Sequence, residues 1–149
     1  MAVHVRDSVD LTSVDPMDLA PTFHADPLVR RNTDGSLALI AGRCQNCDWT
    51  SFPANSVCPM CLNEDIRTLA LPSTGQLYAE TTVHVAPRPW HRPMSLGYVD
   101  FEGGVRVFGH LQNAPEIGQT VEVALASVGT DEDGEPITSF VFRPAEVTS

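Results

Sequence analysis

The chain of 149 residues contains no lysine: all nine of its basic residues are arginine, set against nineteen acidic ones for a net charge of −10. Without lysine there is neither a Walker-type phosphate loop nor Schiff-base chemistry. General nucleic-acid binding is disfavoured too, because it gathers phosphate through a positive field and no long basic stretch offsets the acidic total. Long apolar runs are also missing. No segment approaches the length of a transmembrane span, so no membrane association is expected. The first twenty residues carry Asp7, Asp10, Asp15 and Asp18 instead of the uninterrupted apolar stretch of a secretory signal. A cytoplasmic location is the expectation, where thiols stay reduced. The five histidines, at positions 4, 24, 84, 91 and 110, form no metal-spacing pair, and neither Gly-x-Ser-x-Gly nor a paired carboxylate site is present. The chain thus offers no catalytic constellation of its own.

Cysteine is scarce as well, but its placement is informative. All four cysteines fall in one stretch, as Cys44-Gln-Asn-Cys47, ten intervening residues, and Cys58-Pro-Met-Cys61. Two Cys-x-x-Cys pairs on facing knuckles can present four thiolates to one ion at tetrahedral geometry, the requirement of a structural zinc site. One zinc per chain is expected. With Cys44, Cys47, Cys58 and Cys61 all bound to it, no position stays open for a water nucleophile. Two disulfides, or a redox Cys-x-x-Cys pair, are the rival readings of the same residues. Residues 48–52 read as a short return strand between the knuckles. So small a ribbon buries little apolar surface, and the metal is expected to carry part of its folding free energy.

The rest of the chain reads as mainly β, in three parts. Residues 1–33 form an N-terminal arm in which Asp15-Pro16 and Asp26-Pro27 each set an N-cap residue before a proline. That predicts short helical turns at 16–20 and 27–31. Phe23, Leu28 and Val29 give the arm apolar handholds for docking. Residues 34–73 form the zinc ribbon, entered through the turn Asn32-Thr33-Asp34-Gly35, with strands at 36–43 and 66–71. Residues 74–149 form the third part, with strands at 76–85, 94–101, 105–111, 120–126 and 137–143. Glu102-Gly103-Gly104 makes a tight hairpin between the second and third of these. In the first, Leu77, Ala79, Thr81, Val83 and Val85 alternate with Tyr78, Glu80, Thr82 and His84. Five strands of this pattern, with no room for a helix between the third and fourth, predict a five-stranded OB-fold (oligonucleotide-binding type) Greek-key barrel.

Two surface segments are candidates for binding. The loop Ala86-Pro-Arg-Pro-Trp-His-Arg-Pro93 gathers Arg88, Trp90, His91 and Arg92 on a stretch stiffened by three prolines. Arginine suits bidentate phosphate contacts and tryptophan suits stacking on a base, so the phosphates and adenine of coenzyme A are one target. The other reading has Trp90 packing on the barrel or a partner, with the arginines facing acidic neighbours. The second segment is Arg106, Phe108 and His110, alternating with Val105, Val107, Gly109 and Leu111. It lies near where nucleic-acid-binding OB folds place aromatics, unless Phe108 covers a hydrophobic end of the barrel.

The run from Gly42 through Cys61, followed by the barrel opening Gly75-Gln-Leu-Tyr78, resembles the rubredoxin-like zinc ribbon plus OB-fold family catalogued as domain of unknown function 35. The resemblance spans about residues 34–143. Its most specific parts are Phe52-Pro53, Cys58-Pro59-x-Cys61 and Gly75-x-x-Tyr78. Members look like small partners of thiolase-fold enzymes, and similar domains accompany acyl-CoA thiolases, acyltransferases, side-chain aldolases and hydratases. The resemblance implies a non-catalytic, zinc-containing accessory subunit of a hetero-oligomer. Its thiolase-like partner would hold the catalytic cysteine and histidines, with a coenzyme A thioester as the candidate ligand of the complex. An OB-fold module for single-stranded nucleic acid or for protein is the alternative class.

Overall fold

The computed structural model describes residues 28–145, so the helical turn expected at 16–20 lies outside the described residues. Within them the chain is all β: β1 (Val29–Arg31), β2 (Leu37–Cys44), β3 (Thr50–Ser51), β4 (Ile66–Ala70), β5 (Thr74–Val83), β6 (Met94–Phe101), β7 (Val105–Leu111), β8 (Thr120–Thr130) and β9 (Pro136–Pro144). No helix among the described residues is long and apolar enough to cross a membrane.

The helical turn expected at 27–31 is corrected by β1. Residues 29–31 pair antiparallel with β2, Val29 opposite Leu39 and Arg31 opposite Leu37, and the Ile40 N–H donates to the Leu28 carbonyl at 2.8 Å. A single helical turn has little stability of its own, whereas Val29, β-branched and suited to a pleated surface, is only 3% exposed against β2. The reversal at residues 32–36 makes this pairing local: the Asn32 N–H donates to the Ser36 carbonyl at 2.7 Å, and Gly35 takes φ 90°.

Strand β2 is the spine of the ribbon. Its sequence Leu-Ala-Leu-Ile-Ala-Gly-Arg-Cys is buried at every position except Arg43, the pattern of a strand covered on both faces. It pairs with β3 at Gly42 and Arg43, and with β4 from Ile40 to Cys44, so β3 and β4 flank it on opposite edges.

Strands β5 to β9 close into a barrel of order β5-β6-β7-β9-β8, antiparallel throughout except for β7 with β9. Leu77, Val99, Phe101, Val105, Val107, Val121, Val123 and Phe142 fill its interior. The alternation expected in β5 holds for Leu77 and Tyr78 and then loses its consequence: Thr81 is exposed, and Val85 is 88% exposed. The reason is topological. β5 pairs with β8 only at Thr74, Gly75 and Gln76, so its later half projects with β6 alone as a neighbour.

Ribbon and barrel share one core. Val29, Leu37, Leu39, Ala41 and Leu71 belong to the same buried cluster as the barrel interior. Phe52, on the far side of β3, sets its ring edge-on to Phe140 at 5.6 Å. The sulfur-bearing end of the ribbon is thereby fixed relative to the barrel wall.

Candidate metal centre and barrel surface

The two cysteine knuckles are built alike. In the first, the Asn46 N–H points at Cys44 Sγ at 3.4 Å, and the Asp48 N–H donates to the Cys44 carbonyl at 3.0 Å. In the second, the Met60 N–H points at Cys58 Sγ at 3.4 Å, and the Leu62 N–H donates to the Cys58 carbonyl at 2.9 Å. Cys44 and Cys58, which open the knuckles, are buried, whereas Cys47 is exposed. All four Sγ atoms lie within 4.8 Å of one another. The close contacts run between knuckles, Cys44 with Cys61 and Cys47 with Cys58, both at 3.5 Å. A disulfide needs about 2.05 Å, so the disulfide reading is not the one this fold adopts. Zinc with four sulfurs at about 2.3 Å would set them roughly 3.8 Å apart, and the residues present fit that ion.

Crowding spreads the thiol acidities. Cys61 is held down at about 6 by the Asn46 side-chain amide and the Asn63 backbone N–H. For Cys47 the Trp49 backbone N–H acts downward, but burial and the sulfurs of Cys58, Cys61 and Cys44 outweigh it and push the thiol up to about 12. Some of these thiols ionise easily only if others stay protonated. A shared dication removes that conflict.

The loop 86–93 folds onto the outside of the barrel. The Thr130 N–H donates to the Pro89 carbonyl and the His91 N–H to the Val128 carbonyl, each at 3.0 Å, and Trp90 bridges to Gly129. A Cβ at Gly129 would run into the Pro89 carbonyl, so this approach needs a glycine there. Trp90 is half-buried over an outer apolar cluster of Ala124, Val128, Ile137 and Val141. Its ring lies 5.8 Å from His110, whose pKa is pushed below the ordinary histidine value by burial. Trp90 therefore packs on this chain's own barrel. His91 is exposed, its Nε2 3.4 Å from Thr130 Oγ1. Arg88 and Arg92 are exposed, and the ion pairs among the described residues involve other arginines: Arg43, Arg106 and Arg143. Neither makes an ion pair among the described residues, although the Thr130–Pro89 contact sets the loop beside the acidic turn at 131–135.

Along β7 the alternation is as expected, with Val105, Val107 and Gly109 buried and Arg106 and Phe108 exposed. Phe108 does not cap a barrel end. It stands on the outer wall, 5.0 Å from Tyr98, its register partner on β6. Next to this pair the Arg106 guanidinium donates to both carboxylate oxygens of Asp100, at 2.6 and 3.0 Å, and lies 3.5 Å over the Tyr78 ring. Sequence reasoning did not single out Tyr78 or Tyr98 as surface groups. The signal was the turn at 102–104: once it sets Phe101 opposite Val105, Tyr98 falls opposite Phe108 and Asp100 opposite Arg106.

A cleft of about 290 Å³ lies between the 32–36 turn and β8, lined in part by Ser36, Thr74, Glu122 and Arg143. Its one arginine donates from Nε to Glu122 at 2.8 Å, so the cation there is already compensated.

Comparison with known proteins gives two family models, the rubredoxin-like zinc ribbon domain of ChsH2 over residues 36–67 and its C-terminal OB-fold domain over residues 69–126. The benzoylsuccinyl-CoA thiolase subunit BbsA of Thauera aromatica is 32% identical over 125 residues, covering 81% of this chain and 86% of that protein. A DUF35 domain-containing scaffold protein of Methanocaldococcus jannaschii is also 32% identical, over 116 residues, 72% of this chain and 82% of that one. Among solved structures, the Ltp2-ChsH2(DUF35) aldolase superposes with a TM-score of 0.56 at 28% identity, over 72% of this chain and 84% of that chain. The paired knuckles, the five-stranded barrel behind them and these relatives agree, and the chain belongs to the rubredoxin-like zinc ribbon plus OB-fold family, domain of unknown function 35.

Proposed function

We propose that this chain is a non-catalytic, zinc-containing subunit of a complex in which a thiolase-fold chain acts on an acyl-CoA thioester, and that it supports assembly and substrate binding there. The observation that carries the reading is the kinship, over 81% of the chain, with a subunit of an acyl-CoA thiolase. The chemistry of the site agrees with it. Four convergent sulfurs leave no open position on one ion, so the metal, when bound, cross-links the knuckles and takes no substrate. His110 lies 5.8 Å from the Trp90 ring and hydrogen-bonds no hydroxyl or thiol among the described residues, and the contact of His91 Nε2 with Thr130 Oγ1 at 3.4 Å is on the exposed surface. The catalytic groups come from the partner. Arg88 and Arg92, exposed on a loop pinned by Trp90, are suited to the phosphates of the coenzyme at the subunit boundary. The complex works in the cytoplasm, where the thiols stay reduced.

The exposure of Tyr78, Tyr98 and Phe108 favours a second reading, an OB-fold module that stacks single-stranded bases. Charge disfavours it, because Arg106 is paired with Asp100 and the chain as a whole stands at −10.

The test is turnover of acyl-CoA thioesters by the purified chain alone and by the chain together with a thiolase-fold partner. The complex is expected to turn over and the isolated chain is not. Activity of the isolated chain, free of any thiolase, overturns the division of roles. The pair Arg88→Ala with Arg92→Ala should raise KM for the thioester while assembly stays intact; dissociation instead would assign the arginines to subunit packing.

A further inference from the structure

An aromatic strip crosses the outer wall of the barrel on three adjacent strands: Tyr78 on β5, Tyr98 on β6 and Phe108 on β7, at 53%, 44% and 49% exposure. Isolated exposed apolar residues are ordinary, but these are contiguous. Tyr98 and Phe108 touch at 5.0 Å, and Arg106 ties Tyr78 to the same surface. Two residues beyond Phe108, on the same face of β7, His110 meets Trp90. The strip is therefore continuous with the loop that carries Arg88 and Arg92.

Its electrostatics are those of an interface centre. The bidentate pair of Arg106 with Asp100 makes the strip neutral on a chain of net −10, so excluding water strands no unpaired charge. At one end Arg88 and Arg92, exposed and in no ion pair among the described residues, add two cations to the rim beside the acidic turn at 131–135. Rigid aromatic and arginine anchors inside a polar rim are the composition that dominates binding energy at protein interfaces. A nucleic acid is repelled by the total charge and finds the only strip guanidinium already paired. A second copy brings −10 against −10. The complement is a different protein with an apolar patch to receive the rings, which leaves the two arginines for the phosphates of the coenzyme.

We infer that this strip is the face by which the chain docks on its thiolase-fold catalytic subunit, an inference that rests on the functional reading above. Docking there carries Arg88 and Arg92 to the boundary between the subunits, where a coenzyme entering the partner would pass them.

The test starts from tagged full-length protein purified from its source cells. The thiolase-fold chain that copurifies is identified by mass spectrometry and then produced together with it. Tyr98→Ala combined with Phe108→Ala should weaken association about 100-fold, the effect of two anchors at roughly tenfold each, whereas Tyr98→Phe should leave it within a few-fold. Both side chains stand outside the barrel, so zinc content should be unchanged and the melting temperature should fall only slightly, by the loss of their own cross-strand contact. Hydroxyl-radical footprinting of the wild-type complex, which needs no variant, should protect Tyr78, Tyr98 and Phe108. If no thiolase-fold chain copurifies, the functional reading falls and this inference falls with it. If the complex forms but the double variant binds as tightly as wild type, or the three rings stay reactive in the complex, the surface assignment alone is wrong. Wild-type self-association, or binding to a mixed-sequence single-stranded oligonucleotide, that disappears in the double variant would overturn the choice of occupant.

Discussion

Asp48 and Leu62 hold the same place in the two knuckles, each four residues after the buried cysteine that opens its loop and each left-handed, with φ of 66° and 65°. Each donates its N–H back to the carbonyl of that cysteine. The closure of the knuckle, not the side chain, dictates the backbone there, and an L-residue held left-handed costs about 1–2 kcal/mol. Leu62 is 74% exposed, so its side chain adds little packing in return. Leu62→Gly is therefore expected to raise stability by about 1 kcal/mol, and Leu62→Val to lower it, in thermal unfolding of the zinc-loaded protein. Asp48→Gly should gain less, since aspartate tolerates this region better and its ion pair with Arg43, at 3.6 Å, would be lost. A drop in melting temperature for Leu62→Gly would mean that the leucine makes a stabilising contact.

Metal removal should be felt in the barrel as well as in the ribbon. Phe52 follows the first knuckle and packs edge-on against Phe140 of β9, so loosening the knuckles should disturb the shared core. Freshly purified reduced protein is expected to hold one zinc per chain. Chelation, or Cys58→Ser, should lower the melting temperature and change near-ultraviolet circular dichroism in one step. Zinc-free protein with an unchanged melting temperature would refute the metal's structural role.

The loop 86–93 should come off the barrel when Gly129 gains a methyl group. That group meets the Pro89 carbonyl, which is backbone and cannot swing aside, so Gly129→Ala should cost about 1–3 kcal/mol. Trp90→Ala uncovers Ala124, Val128, Ile137 and Val141 and should cost about 2 kcal/mol, less than for a fully buried tryptophan. Limited proteolysis within residues 86–93 should accelerate in both variants. A cleavage rate equal to wild type would show that these contacts do not hold the loop.

His110 provides a reading of the same contact by pH. Burial lowers its pKa, so the folded state favours the neutral ring. Its contribution to stability is then full above the unfolded value of about 6.5 and declines as pH falls through that value toward the folded one. Removing the Trp90 ring, 5.8 Å away, should let water in and move the pKa back up. Proton NMR titration of His110 in wild type and Trp90→Ala measures both values. An unchanged titration would mean that other neighbours, not Trp90, exclude the water.

The sequence by itself determined the four-cysteine cluster, placed to hold one metal ion, and most of the barrel strands, because each rests on local geometry. Two residues between cysteines make a knuckle, four sulfurs make one soft tetrahedral site, and alternation bounded by glycine turns makes strands. Only the tertiary structure decided the rest, because it depended on partners distant in sequence. Residues 29–31 became a strand once Leu37, Ala38 and Leu39 stood beside them as pairing partners. Trp90 was settled by Gly129, whose missing Cβ lets the loop approach, and by the outer cluster that β8 and β9 assemble only when paired. Tyr78, Tyr98 and Phe108 are three unremarkable strand positions until register and a bulge in β5 set them side by side. A local pattern says which residues alternate. Which wall of a closed barrel those residues share, and what covers it, follows from how the strands are registered against one another.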